Sequence, residues 1–366
     1  MTRFLTPLAT TLPATVPFTG PETMERSQGR PFRARLGANE SLFGPSPQAI
    51  AAMKTAAEAV WMYADPESHD LKQALARHHG VTPGHIVVAG GIDGLLGLLC
   101  RLTLEPGVPV VTSLGAYPTF NFHVAGFGGA LHRVPYRGDH EDPQALLDTA
   151  RQTGARLIYL ANPDNPMGSH HPGHVIEAMV ADLPDHSLLV LDEAYADLAP
   201  QGTLPDIPAD HPQVIRLRTF SKGYGMAGAR VGYAITHPDL AQAFDKVRDH
   251  FGMGRIAQIG ALAALADQDW LEQVRQRVIA ARARVTAIAA ANGLRALPSA
   301  TNFVTVDCGR HGDHARAILR ETVARGVFIR MPGVAPLDRC IRISLGDDAA
   351  LDVLEEVLPQ AIAAAG

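Results

Sequence analysis

Nothing in the sequence points to a disulfide framework. Its three cysteines, Cys100, Cys308 and Cys340, are scattered and odd in number, with no CxxC pair. Such thiols suit burial in a reducing compartment better than cross-linking. Long apolar runs are missing too, so no segment reads as a bilayer span. Pro7, Pro13 and Pro17 follow Arg3 and break up any signal-peptide core, which makes the cytoplasm the expected compartment. Excess charge of one sign is also absent: charged residues are 19% of the 366 and the formal net charge is −5. With 46% hydrophobic residues, that is an ordinary soluble balance. It offers no basic stripe for nucleic acid. Sixteen histidines invite a metal, most densely at His170-His171-Pro172-Gly173-His174. Pro and Gly inside that run spoil a regular i, i+4 ligand pair. No acidic or thiol partner stands at zinc spacing, so a solvated loop without metal is expected.

What is present is an alternation. The length allows one large or two moderate domains with an ample core. The first 30 residues, rich in Pro and Thr, read as an irregular arm. Phe32–Leu36 reads as a short strand. Ser46-Pro47 caps and starts a helix running to about Ala59, and a second helix spans His69 to His79, stopped by Gly80. Seven strands follow at Ile86–Ala89, Val108–Thr112, Leu131–Pro135, Leu157–Leu160, Leu188–Leu191, Val214–Leu217 and Val231–Ile235. Several are unbroken apolar runs, as expected of strands covered on both faces, and helical segments such as Leu95–Leu104 separate many of them. This is an α/β pattern with a mostly parallel sheet. Beyond it, Trp270–Ala291 has helical period and ends at Asn292-Gly293. Strands at Phe303–Val306, Val327–Ile329 and Ile341–Ser344 and helices at His314–Arg325 and Ala350–Ala364 complete a smaller α+β part. The expected division is an arm at 1–30, a small domain from 31–60 and 271–366, and a large domain at 61–270.

Ligands of open α/β sheets bind beyond the carboxyl ends of the strands. After Ile86–Ala89 comes Gly90-Gly91-Ile92-Asp93-Gly94, a glycine turn whose free amides suit a phosphate, or merely a tight turn. After Leu157–Leu160 comes Asn162-Pro163-Asp164-Asn165-Pro166-Met167-Gly168, whose two Asn-Pro steps hold the chain extended. After Leu188–Leu191 comes Asp192-Glu193-Ala194-Tyr195, where a buried carboxylate needs a partner. After Val214–Leu217 comes Arg218-Thr219-Phe220-Ser221-Lys222-Gly223-Tyr224-Gly225, continuing to Arg230. A phosphate cradle, an amide, a carboxylate beside a phenol, and a lysine on one sheet edge are the groups that pyridoxal phosphate needs. The lysine amine condenses with its aldehyde, and the carboxylate keeps its pyridine nitrogen protonated.

These stretches, with Ala38-Asn39-Glu40, Gly44-Pro45-Ser46-Pro47, Tyr63-Ala64-Asp65-Pro66, Pro118-Thr119-Phe120 and Arg342-Ile343-Ser344-Leu345-Gly346, run in one order over nearly the whole chain. The chain thereby resembles the fold type I pyridoxal-phosphate aminotransferases, and most of all the histidinol-phosphate aminotransferase group. The resemblance implies a mostly parallel seven-stranded sheet sandwiched by helices, plus a small α+β domain. It implies an amino donor (histidinol phosphate, or a related or aromatic amino acid) and a 2-oxo acid acceptor such as 2-oxoglutarate.

It also implies roles. Lys222 is the Schiff-base lysine and proton shuttle. Asp192 pairs with the pyridine nitrogen, and Tyr195 and Asn165 bond the ring oxygen. Phe120 stacks on the ring. Gly91, Ile92, Asp93, Thr219, Ser221 and Arg230 hold the phosphate, with Tyr63 reaching in from a second copy, so a homodimer is implied. Arg342 holds the substrate carboxylate and Arg330 a substrate phosphate. Asn39 and Phe251 line the substrate side.

The chain departs from the family pattern at Met167, where a threonine is usual, at Gly94, at His123 and at His250–Arg255. The last lacks a phenol and an amide that a polar substrate would use. Two other readings remain at this level. One is a decarboxylase (threonine-phosphate type) or racemase on the same fold. The other is a non-enzymatic sensor, for which the Pro-rich start shows no helix-turn-helix period.

Overall fold

The computed structural model describes residues 3–14 and 18–366. Its centre is a seven-stranded sheet. We number the strands of the whole chain β1 (Ala34–Arg35), β2 (Ile86–Ala89), β3 (Pro109–Ser113), β4 (Ala130–Val134), β5 (Leu157–Ala161), β6 (Leu188–Asp192), β7 (Val214–Thr219), β8 (Gly232–Thr236), β9 (Arg295–Ala296), β10 (Phe303–Asp307), β11 (Val327–Phe328) and β12 (Cys340–Ser344). The large sheet has the order β2-β8-β7-β6-β5-β3-β4. Only β8 runs against its neighbours. This is the doubly covered α/β sheet expected from the unbroken apolar runs.

Side chains alternate between faces along a strand, and here both faces are buried. In β5, Leu157 and Tyr159 pack under the helices Gly91–Thr103 and Pro118–Gly126. Ile158 and Leu160 pack under the helices Pro143–Thr153 and Gly173–Ala181. At the β2–β8 end, Val88 and Tyr233 meet the helices His69–His79 and Arg255–Ala266. Ala49 of the helix Pro47–Ala57 joins that same cluster. A separate cluster gathers the long helix Gln268–Ala291, β10, β12 and the helices Gly312–Ala324 and Asp348–Ala365 around Val304, Ile343 and Leu354.

The arm is not irregular throughout. It holds short helices at Pro7–Thr11 and Pro21–Gln28, each with proline in its first turn. Thr6-Pro7 is the same hydroxyl–proline start that marks Ser46-Pro47, and the Thr6 hydroxyl accepts the Ala9 N–H at 3.1 Å. Glu25 ties the second helix to the small sheet, accepting Arg35 Nη2 at 2.5 Å and the Phe32 N–H at 2.9 Å. Met1, Thr2 and residues 15–17 of the arm, Pro17 among them, lie outside the described residues. No helix among the described residues is long and apolar enough to cross a membrane. All three cysteines are buried and free. His171 is tied through Nε2 to the Glu141 carbonyl at 2.8 Å, and His174 lies in the first turn of the helix Gly173–Ala181.

Candidate active site

The carboxyl ends of β2, β5, β6 and β7 share one edge of the sheet. Because β8 runs the other way, its amino end reaches that edge too and delivers Arg230. The result is a cavity of ≈ 420 Å³ lined by Ile92, Asp93, Asn165, Asp192, Tyr195, Thr219, Ser221, Lys222 and Arg230, all expected from the sequence. Tyr117, Tyr159 and Glu40 complete its walls.

One end of the cavity is an anion cradle. Thr219 Oγ1 donates to Ser221 Oγ at 3.0 Å and accepts the Ser221 N–H at 3.1 Å. Arg230 Nη1 donates to the same Ser221 hydroxyl at 3.3 Å, and Nη2 stands 3.8 Å from Asp93. The helix Gly91–Thr103 begins here, earlier than its apolar run suggested, so Ile92 and Asp93 lie in its first turn, where N–H groups have no partner within the helix. Gly91 itself does not line the cavity. It has φ +85°, and a Cβ there would stand 2.5 Å from Arg230 Nη2, so its missing side chain is what lets the guanidinium close in.

The other end holds the lysine and the carboxylate. Lys222 Nζ donates to the Asn39 carbonyl at 3.1 Å and lies 5.6 Å from the Tyr195 ring centroid. Burial, then the Arg342 and Arg230 charges, lower its amine to about 8. Asp192 ends β6, with its Oδ2 accepting the Tyr159 O–H at 2.7 Å and its Oδ1 accepting the Ala194 N–H at 2.9 Å. Burial pushes this carboxyl up to about 6, against those two hydrogen bonds. Neither of its bonded partners is a cation. A protonated pyridine nitrogen would supply the missing counter-charge, and the cradle opposite suits a phosphate. The residues present therefore fit pyridoxal phosphate.

Beneath the lysine loop, Glu193 accepts Arg218 Nε at 2.7 Å and Arg216 Nη2 at 3.0 Å, which satisfies a fully buried carboxylate. Asn39 is held in a left-handed conformation (φ +55°) and donates through Nδ2 to the Tyr195 hydroxyl at 3.1 Å. Arg342 lies just behind Asn165, donating through Nη1 to its Oδ1 at 2.5 Å. Arg330 and Arg342 form an antiparallel backbone bridge. The Arg330 guanidinium donates to the Thr19 carbonyl at 2.5 Å and lies over the rings of Phe328 and Phe18, at 5.1 and 5.9 Å.

One expected contact is corrected. Phe120 does not face the cavity. It sits inside the helix Pro118–Gly126, is fully buried, and stacks on Tyr159 at 4.7 Å and 16°. The ring in the wall is Tyr117, the residue that precedes Pro118, and its hydroxyl donates to Asp93 at 3.0 Å. Proline opening the helix turns the residue before it toward the strand ends and the second residue after it into the core. Tyr63 and Phe251 also lie off the cavity wall, packed against each other with ring centroids 4.5 Å apart and planes tilted by 35°, on an exposed surface. Met167, in place of the usual threonine, is buried against Leu297, Leu337 and Cys340, so it fills a small apolar cluster. Tyr159 was not anticipated: a tyrosine inside an apolar strand carries no signal that its hydroxyl serves the carboxylate on the next strand.

The family described as "Aminotransferase class I and II" matches residues 34–358. A histidinol-phosphate aminotransferase of Roseiflexus castenholzii is 34% identical, covering 98% of this chain and 99% of that protein. One from Nitrosococcus oceani is also 34% identical, over 93% of this chain and 92% of that protein. A crystal structure of histidinol-phosphate aminotransferase from Sinorhizobium meliloti, in complex with pyridoxal-5'-phosphate, is 55% identical with a TM-score of 0.96, covering 100% of this chain and 99% of that one.

Proposed function

The chain belongs to the class I and II aminotransferases, and from that premise we propose that its amino donor is histidinol phosphate and its acceptor a 2-oxo acid such as 2-oxoglutarate. It is a pyridoxal-phosphate-dependent enzyme. The observation that carries the donor is the pair of arginines on bridged backbone, Arg342 bonded to Asn165 of the cavity wall and Arg330 paired with it through the main chain. Two such groups suit a site that must accept a phosphate in one half-reaction and a carboxylate in the other. Nothing observed favours a decarboxylase.

When bound, pyridoxal phosphate supplies an aldehyde that captures amines and a ring that accepts electron density. The chain's own residues do the rest. Thr219, Ser221, Arg230 and the first-turn amides of Ile92 and Asp93 bind the phosphate. Asp192 holds the proton on the ring nitrogen. Tyr195, positioned by Asn39, and Asn165 would bond the ring oxygen, and Tyr117 would wall the cavity beside the ring. Lys222 Nζ moves the proton at the substrate's α-carbon. Arg342 binds the carboxylate of the acceptor and Arg330 helps hold the donor's phosphate.

The test is a panel of amino donors added singly to purified holoenzyme, read as loss of its absorbance near the visible edge. Histidinol phosphate is expected to react with a kcat/KM about tenfold or more above aromatic amino acids, the least that even a single pocket contact discriminates. Equal or faster reaction of an aromatic donor would reassign the substrate. Carbon dioxide released without an acceptor would point to the decarboxylase instead.

A homodimer is the second part of this reading. Val60, Trp61 and Tyr63 are 64%, 80% and 77% exposed, and Phe251 beside Tyr63 is 50% exposed. A contiguous apolar surface of this kind marks an interface. It would bring Tyr63 to the cradle of the second copy. Sedimentation is expected to give about twice the 39.0 kDa of one chain. Trp61→Asp is expected to shift the protein toward monomer and to lower activity with it. A fully active monomer would defeat the shared site.

A further inference from the structure

Asp164 is 2% exposed and has no part in the reaction described above. It is the hub of the loop that carries Asn165. Its Oδ2 accepts the Met167 N–H at 3.0 Å and its Oδ1 accepts the Tyr136 O–H at 2.9 Å. Its own N–H donates to the Ser169 carbonyl at 2.8 Å, and its carbonyl accepts the Gly168 N–H at 3.1 Å. The next residue, Asn165, is the stronger of the two acceptors that fix the Arg342 head. The other is the Gly37 carbonyl at 3.3 Å. Arg342 Nε is buried with no partner, and one face of the guanidinium lies 5.2 Å over the Phe303 ring. A guanidinium held this sparsely needs help to keep one orientation.

We propose that Tyr136 and Asp164 are positioning residues that aim Arg342 at the substrate carboxylate, acting through Asn165 and through the charge on Asp164. The proposal rests on the reading of Arg342 as the carboxylate site. Several charged or titratable groups face Asp164. Arg342 favours its ionised form. Glu141, which accepts Ser113 Oγ at 2.5 Å and the Ala161 N–H at 3.0 Å, opposes it as a second buried carboxylate. Burial pushes Asp164 up to about 7, even with the Met167 N–H, the Tyr136 O–H and Arg342 holding it down. An acid raised in this way is charged above its pKa and neutral below. Removing the Tyr136 donor raises it further and leaves Asp164 neutral at neutral pH. Burial disfavours the Arg342 charge, and Asp164 is among the groups that favour it. Without that counter-charge the guanidinium loses its reason to stay where Asn165 presents it.

The experiment uses full-length holoenzyme and steady-state kinetics with 2-oxoglutarate as the varied substrate. Tyr136→Phe keeps the ring and removes only the hydroxyl. Asp164→Asn removes the charge, its oxygen can keep the Met167 N–H, and the Tyr136 hydroxyl, free to rotate, can accept from the new amide. Each is expected to raise KM for 2-oxoglutarate about tenfold with kcat within about twofold, and to leave the holoenzyme absorbance unchanged. Because the two act as one unit, the Tyr136→Phe effect is expected to vanish in the Asp164→Asn background. A merely structural role would lower kcat and thermal stability together and leave KM for 2-oxoglutarate unchanged. Unchanged KM in both single variants overturns the proposal. So does a fall in KM, which would mean that Asp164 chiefly repels the substrate. Arg342→Gln is the control. If it leaves KM unchanged, the carboxylate reading has failed. If it raises KM while Tyr136→Phe does not, only the proposal has.

Discussion

Lys222→Ala is expected to lower turnover by about 10⁴-fold or more and to remove the resting holoenzyme's absorbance near the visible edge, while far-UV circular dichroism stays unchanged. The expectation follows from two roles lost at once. Removing a positioned proton carrier alone costs about 10²–10⁴-fold, and the covalent attachment goes with it. The fold has little at stake, since Lys222 Nζ makes one hydrogen bond, to the Asn39 carbonyl, which also accepts Asn302 Nδ2 at 3.0 Å. Lys222→Arg is expected to fail equally. A guanidinium keeps the charge but does not deprotonate in proteins. Turnover near wild type in either variant refutes the assignment of the lysine.

The pocket also sets the pH at which this amine becomes available. An ordinary lysine titrates near 10.4, whereas burial and then Arg342 and Arg230 bring Lys222 down to about 8. A base with a lowered pKa is neutral, and so nucleophilic, above that value. Capture of pyridoxal phosphate by the apo-enzyme is therefore expected to accelerate as pH rises to about 8 and then to level off. A rate still rising steeply beyond 9 would mean that the pocket does not act on the amine.

The parts of the site legible in the sequence are those carried on strand ends. Asp192, Asn165, Thr219 and Lys222 each follow an apolar run, and the backbone rule that ligands bind at carboxyl ends then brings them together without any knowledge of packing. The resemblance supplied Arg230, and the antiparallel course of β8 explains how a residue so far along the loop returns to the same edge. What stayed hidden depends on side-chain direction. Tyr117 and Phe120 are three residues apart in one aromatic stretch, and only the helix starting at Pro118 decides which faces the cavity. Tyr159 and Tyr136 are likewise invisible, since a phenol in or beside an apolar strand looks like core until its hydroxyl is seen on a carboxylate. In the arm, helix signals were present at Thr6-Pro7 and Gly20-Pro21, but the segments are too short for a hydrophobic period to emerge.

Asp192→Asn tests the carboxylate end of the site with the least disturbance of shape. The wild-type oxygens accept from Tyr159 and Ala194 at 2.7 and 2.9 Å. An asparagine oxygen can keep the Ala194 N–H, and the Tyr159 hydroxyl, free to rotate, can accept from the new amide. The melting temperature is therefore expected to stay within a few degrees. What is lost is the charge that holds a proton on the ring nitrogen. Breaking a buried ion pair costs about 3–5 kcal/mol, which at about 1.4 kcal/mol per decade is a fall of roughly 10²–10⁴-fold in kcat.

The pH profile separates this cause from a general loss of fit. Asp192 is an acid raised to about 6 by burial, so it is charged above and neutral below. The cationic ring nitrogen favours the charged form and moves that midpoint lower. Wild-type activity should then show an acid limb below 6. Asp192→Asn should show none from this group. Tyr159→Phe, which removes a hydrogen bond that favours the charge, should move the limb to higher pH. If Asp192→Asn retains wild-type turnover, or Tyr159→Phe leaves the limb in place, Asp192 does not hold the proton and the orientation assigned to the cofactor is wrong.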